Sequence, residues 1–177
     1  MLIMKALHKN ILERLDQIIN DTGKHIHDFI DNPHAFTRKR TLDAATVIKT
    51  TINMQGEDLN SELFRAFGKQ AIEKNDKVVS TSAYVQRKSQ LSSACFKHIL
   101  ITFNQNLFDV QLFDHQYRLF AIDGSDFNQI WNPESQNIIR SSSHEKKPYC
   151  QIHVNALYDL LNNTYQDCVF STQVEDG

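Results

Sequence analysis

Residues Tyr117-Arg118-Leu119-Phe120-Ala121-Ile122-Asp123-Gly124-Ser125 decide the fold class. The short apolar run Tyr117 to Ile122 ahead of Asp123-Gly124-Ser125 predicts a short buried strand that ends in a tight turn, because so short a run suits a strand and glycine admits turn angles. Further on, Cys150, Ile152, Val154, Ala156 and Tyr158 alternate with Gln151, His153 and Asn155, a period of two that predicts a half-buried second strand. Asn162-Asn163 predicts a turn, and Tyr165 to Phe170, rich in aromatic and β-branched residues, predicts a third strand. Between the first two strands, the polar stretch Asn132 to Pro148 predicts an exposed loop.

Upstream of this run the period is helical. Leu7, Ile11, Leu12, Leu15, Ile18 and Ile19 share one helix face, and Gly23 is expected to close that helix in a left-handed conformation. Ile26, Phe29 and Ile30 form a shorter apolar set closed by Asp31-Asn32-Pro33. Thr41 is expected to cap a helix carrying Leu42, Ala45, Val47, Ile48 and Ile52, and Gly56 separates it from a helix carrying Leu59, Leu63, Phe64 and Phe67. Ser80, Thr81 and Ser82 offer a cap for one long helix bearing Tyr84, Val85, Leu91, Cys95, Ile99 and Phe103, with Gln86, Arg87 and Lys88 near its start. The fold class is therefore α+β, with a helical region at 1–110 and a strand region at 111–177.

Composition narrows the function classes. With 41% hydrophobic and 23% charged residues the chain reads as soluble and globular, and no stretch approaches the roughly 20 apolar residues that cross a bilayer. The start Met1-Leu2-Ile3-Met4-Lys5 lacks a long apolar core after a basic leader, and Glu13 and Asp16 argue against a transit peptide, so the expected location is cytoplasmic. Cys95, Cys150 and Cys168 are odd in number and in no CxxC pair, which indicates neither a disulfide framework nor a structural zinc site. Charge is divided unevenly. Residues 1–100 hold 15 Lys+Arg against 11 Asp+Glu, a net +4, whereas residues 101–177 hold 4 against 10, a net −6. A basic front suits a polyphosphate partner, and an acidic rear suits a metal-holding or solvated surface.

Asp123, anchored by apolar residues on one side and released by Gly124 on the other, has the placement of a ligand for a hard cation, which prefers oxygen donors. Taken alone, the same residues also read as a plain Asp-Gly turn. Asp126, Asp159 and Asp167 are the acids that could join the same ion if the chain folded back; otherwise Asp126 and Asp159 read as turn caps. His144 and His153 have no second His or Cys at ligand spacing. Arg38-Lys39-Arg40 and Arg87-Lys88 read either as solvated helix ends or as phosphate contacts; Gln86 and Tyr84 are candidates for base edges, Tyr84 equally for the core. Trp131, the single tryptophan, reads as a loop anchor.

Five segments taken in order carry a resemblance: Phe36-Thr37-Arg38-Lys39-Arg40; Glu62-Leu63-Phe64-Arg65-Ala66-Phe67; Val79-Ser80-Thr81-Ser82-Ala83-Tyr84-Val85-Gln86-Arg87-Lys88; Phe120-Ala121-Ile122-Asp123-Gly124-Ser125; and His153-Val154-Asn155-Ala156-Leu157-Tyr158-Asp159-Leu160-Leu161. Together they resemble the front portion of DDE-type insertion-sequence transposases. The resemblance implies a helical DNA-binding region followed by the first three antiparallel strands of a ribonuclease H-like domain. It implies that Asp123 is the first catalytic, metal-binding carboxylate, and that Arg38, Lys39, Arg40, Gln86, Arg87 and Lys88 contact DNA. It further implies double-stranded element ends as the partner and Mg²⁺ or Mn²⁺ as the cofactor of intact relatives, which cut and join DNA with two ions. The second and third carboxylates of the family have no counterpart here, so the chain is expected to be truncated, to hold no metal productively and to be inactive alone. The alternatives are a DNA-binding fragment that competes for element ends, with full-length transposase or a second copy as partner, and an inert remnant.

Overall fold

Helix α1 spans Leu2–Lys24, ending one residue past the Asn20–Gly23 stop that the sequence predicts. The structure, a computed structural model, describes residues 2–37, 41–105, 110–140 and 147–171. Gly23 lies inside α1 and has no positive φ. Its value is space: a Cβ there would sit 2.8 Å from Ala45 Cβ and 3.0 Å from Ala45 N, so the missing side chain is what lets α1 meet helix α2, Ala44–Ile52. The salt bridge from Lys49 Nζ to Asp16 Oδ1, 2.6 Å long, joins the same two helices.

A one-turn 3-10 helix, Ile26–Phe29, precedes α2. Asp43, not Thr41, caps α2, accepting from Thr46 N at 2.8 Å. Leu42, just before the cap, is buried beside Val47 in the first turns, a hydrophobic staple that sets the entry of the chain two residues later than Thr41 would. Gly56, at φ +83, makes the turn into α3, Leu59–Lys74, whose cap Asp58 accepts from Asn60 N and Ser61 N. Buried Glu62 fastens that turn. Its Oε1 accepts from Gln55 N at 2.7 Å and Glu57 N at 3.0 Å, while Arg65 Nη1 donates to Oε2 at 3.0 Å. Burial pushes the Glu62 carboxyl up, but those backbone donors and Arg65 outweigh it and hold it below its ordinary value.

The expected long helix after Ser80 is two helices. Ser80 caps α4, Thr81–Lys88, and α5 spans Ala94–Gln105. In the break, Ser92 N donates to Phe29 O at 2.9 Å and Ser92 Oγ accepts from Ala94 N at 3.3 Å. The apolar stripe runs through the break because Leu91 packs inward from the turn and Cys95 and Ile99 pack inward from the new helix. Two clusters result. Ile19, Ile26, Ala44, Ile48, Cys95 and Ile99 form one, and Leu42, Val47, Leu63, Phe67 and Tyr84 the other. Neighbouring residues Val47 and Ile48 of α2 serve different clusters, and Phe36 and Leu91 pack against both. Burial pushes the Cys95 thiol up to about 11, as expected for a small hydrophobe inside a core.

The chain divides into two compact units, Met1–Phe103 and Asn104–Gly177. The second is an antiparallel sheet of β1, Phe120–Gln129; β2, Ile138–Ile139; β3, Tyr149–Asp159; and β4, Thr164–Ser171. β3 is central. It pairs with β1 from Gln129↔Cys150 to Phe120↔Asp159, and on its other edge with β2 and β4. The short pair Ile138–Ile139 falls inside the stretch predicted as loop, too brief for a period of two to register. A bulge between Leu157 and Tyr158 lets β4 follow β3 after the Asn162-Asn163 turn, where Asn163 takes φ +53. Five helices and a small antiparallel sheet make the chain α+β among the described residues. No described helix is long and apolar enough to cross a membrane.

Candidate functional site

In the helical unit, a groove of about 820 Å³ is lined by His34, Thr37, Thr41, Leu42, Val79, Ala83, Gln86, Arg87 and Gln90. Polar donors converge there, and among the described residues no carboxylate lines it. Gln86 is exposed on α4. Arg87 is half-buried: its guanidinium lies 5.0 Å from the centre of the Phe36 ring, and its Nη1 donates to Gln90 Oε1 at 3.1 Å. Arg87 and Lys88 occupy the last turn of α4, not the start of a helix as expected, so the positive end of the helix dipole is not beside them. Arg38, Lys39 and Arg40 lie outside the described residues; the residues on either side of them in sequence, Thr37 and Thr41, both line the groove. Tyr84 belongs to the core. It is 1% exposed, and its hydroxyl donates to Thr51 Oγ1 at 2.6 Å, since the Thr51 hydroxyl already donates to Val47 O.

In the sheet unit, Asp123 is not at a strand end. β1 continues through Gly124 to Gln129, and Asp123 stands in its interior opposite Ala156, exposed, with one carboxylate oxygen accepting from Gly124 N at 3.0 Å. The Asp-Gly pair makes no turn because β3 offers unbroken partners across the whole span. Glycine has a different use here. A Cβ on Gly124 would meet His153 Cε1 and Nε2 at 2.8 Å, so the bare backbone makes room for that ring.

Of the candidate acids, Asp126, Asp159 and Asp167 are kept from joining Asp123. Successive strand residues point to opposite faces, so Asp126 lies on the face opposite Asp123. Asp159 pairs with Phe120, and Asp167 pairs through Leu157 with Ile122, which puts both on the Asp126 face. Each is also engaged. Asp126 Oδ1 accepts from His153 Nδ1 at 2.7 Å. Asp159, 0% exposed, accepts from Arg118 Nε at 2.9 Å, Asn162 N at 3.1 Å and Leu161 N at 3.2 Å, closing the β3–β4 turn. Asp167 Oδ1 accepts from Cys168 N at 2.9 Å. Strand geometry thus keeps Asp126 and Asp159 from sharing an ion with Asp123. Among the described residues no three His, Cys, Asp or Glu side chains come together to hold an ion, and one exposed carboxylate does not fit a two-ion centre.

Sequence reasoning missed the partners Phe36 and Gln90 of Arg87, and Arg118 of Asp159. Phe36 and Arg87 are far apart in the chain and on different elements, so no spacing links them. Trp131 is half-exposed beyond β1. No protein-family model, curated protein or solved structure matches the chain.

Proposed function

We propose that the helical unit binds double-stranded DNA, and that the chain corresponds to the front portion of a DDE-type transposase, its sheet being the opening strands of a ribonuclease H-like domain. One observation carries the DNA reading: the groove gathers Arg87, Gln86, His34 and two threonine hydroxyls with no carboxylate among its described lining, and Thr37 and Thr41 flank the basic Arg38-Lys39-Arg40 in sequence. Guanidinium, amide and hydroxyl donors are the groups that hold phosphate oxygens and fix register on a duplex. The transposase reading is supported by the five ordered segments and by an antiparallel first strand bearing Asp123. In intact relatives Mg²⁺ or Mn²⁺ would supply the charge that stabilises strand transfer. Among the described residues Asp123 has no second carboxylate on its face, which favours a role in holding DNA ends over cutting them.

The test is a fluorescence-anisotropy titration of residues 1–177 against a duplex carrying the sequences that flank its own reading frame, and against a shuffled duplex, at several salt concentrations. If about four side chains touch phosphates, log affinity falls with log salt at a slope of roughly −3 to −4. Tighter binding to the flanking sequence supports the transposase reading. Equal affinity for both duplexes removes it and leaves general DNA binding, while salt-independent or absent binding removes both.

A further inference from the structure

We propose that Phe36 and Gln90 are positioning residues for Arg87, holding its guanidinium beside the groove as a preset receptor for one DNA phosphate; this rests on the DNA-binding reading above.

An unrestrained arginine loses several rotatable bonds when it grips a phosphate, and that entropy opposes binding. Arg87 has already lost much of this freedom. The Phe36 ring lies under the guanidinium, 5.0 Å from centroid to Cζ, and Gln90 Oε1, two residues past the end of α4, accepts from Nη1 at 3.1 Å. A guanidinium has five N–H donors, and Gln90 takes one of them, so donors remain for a ligand oxygen. Both restraints come from fixed places. Phe36 packs against both core clusters and stands at φ +58, while Gln90 sits in the turn whose backbone is tied to α4 by Gln90 N donating to Arg87 O at 3.2 Å. The remaining groove lining, with Thr37 and Thr41 and no described carboxylate, suits a tetrahedral anion. A phosphate is favoured over a base edge because the arginine is half-buried and fixed against the protein, whereas exposed Gln86, one residue away, has the freer reach.

The experiment measures the affinity of the full chain for a random-sequence duplex, and for the duplex that flanks its reading frame, at 50 to 200 mM salt in a double-mutant design. Arg87→Ala is expected to flatten the salt slope by about 0.9. Phe36→Leu and Gln90→Leu are each expected to weaken binding about 2- to 5-fold in the Arg87 background and to have no effect when Ala stands at 87. Phe36→Tyr, which keeps a π face, is expected to restore wild-type affinity. Because Phe36 also packs in the core, Gln90→Leu keeps the proposal open to refutation if Phe36→Leu fails to fold. Wild-type affinity in Gln90→Leu and in folded Phe36→Leu, or equal weakening with and without Arg87, overturns the positioning role alone. Loss of binding confined to one preferred sequence overturns the phosphate assignment in favour of a base edge. Salt-independent or absent binding by the wild-type chain overturns the DNA reading and this role with it.

Discussion

Asp126 and His153 face each other at directly paired positions of β1 and β3, joined by a 2.7 Å hydrogen bond from Nδ1 to Oδ1. A carboxylate oxygen accepts here, so this contact places a ring proton on Nδ1 and leaves Nε2 over Gly124. Asp126 lies on the face opposite Asp123, and the β1–β3 register runs without a shift that would bring the two acids together.

Residues 1–177 tested alone are therefore expected neither to nick nor to join DNA bearing the sequences that flank their reading frame with Mg²⁺ or Mn²⁺ present. A supercoiled-plasmid nicking assay and a strand-joining assay check this. Metal-dependent cleavage that vanishes in Asp123→Ala would show that the strand geometry does not limit the site.

Acid should loosen the β3–β4 turn through Asp159. Burial pushes this carboxyl up, but the hydrogen bonds from Arg118 and Asn162 and the Arg118 charge outweigh burial and hold it below its ordinary value. A depressed folded value means the unfolded chain takes the proton first, so the contribution to stability is complete above the ordinary carboxylate range and is lost as pH falls below about 4. Circular dichroism across pH 2 to 6 is expected to show a steeper acid loss of strand signal in the wild type than in Asp159→Asn. Parallel curves would remove the linkage.

Gly23→Ala sets two effects against each other. Alanine raises helix propensity by about 1 kcal/mol, but its methyl group meets Ala45 Cβ and backbone nitrogen at 2.8 and 3.0 Å. Overpacking against backbone costs about 1–3 kcal/mol, so net destabilisation is expected, with partial recovery on adding Ala45→Gly. Urea unfolding of the three variants decides it; a more stable Gly23→Ala chain would mean that α1 and α2 separate without cost.

Replacing Arg38, Lys39 and Arg40 together with alanine is expected to weaken binding to all duplex sequences alike. The salt slope should flatten by roughly 0.9 for each side chain that touches a phosphate. An unchanged slope in the anisotropy titration would assign these three residues to solvent.

The sequence by itself determined the alternation of elements. Helical spacing located α1, α2 and α3, Ser80 marked the start of α4, and the period of two at 150–158 located β3, because those patterns arise locally from the geometry of helix and strand. Only the tertiary structure decided where residues of ambiguous local meaning belong. Asp123-Gly124 is compatible with a turn, and becomes mid-strand because β3 pairs with it throughout. Gly23 resembles a helix stop, and lies within the helix because Ala45 needs the space. Arg87 is expected near a helix start, and sits at a helix end, restrained by Phe36 and Gln90, because Leu91, Cys95 and Ile99 keep their apolar spacing across a break. In each case the deciding partner is distant in sequence or hidden by a continuous pattern, and pairing and close packing exist only once the chain has folded.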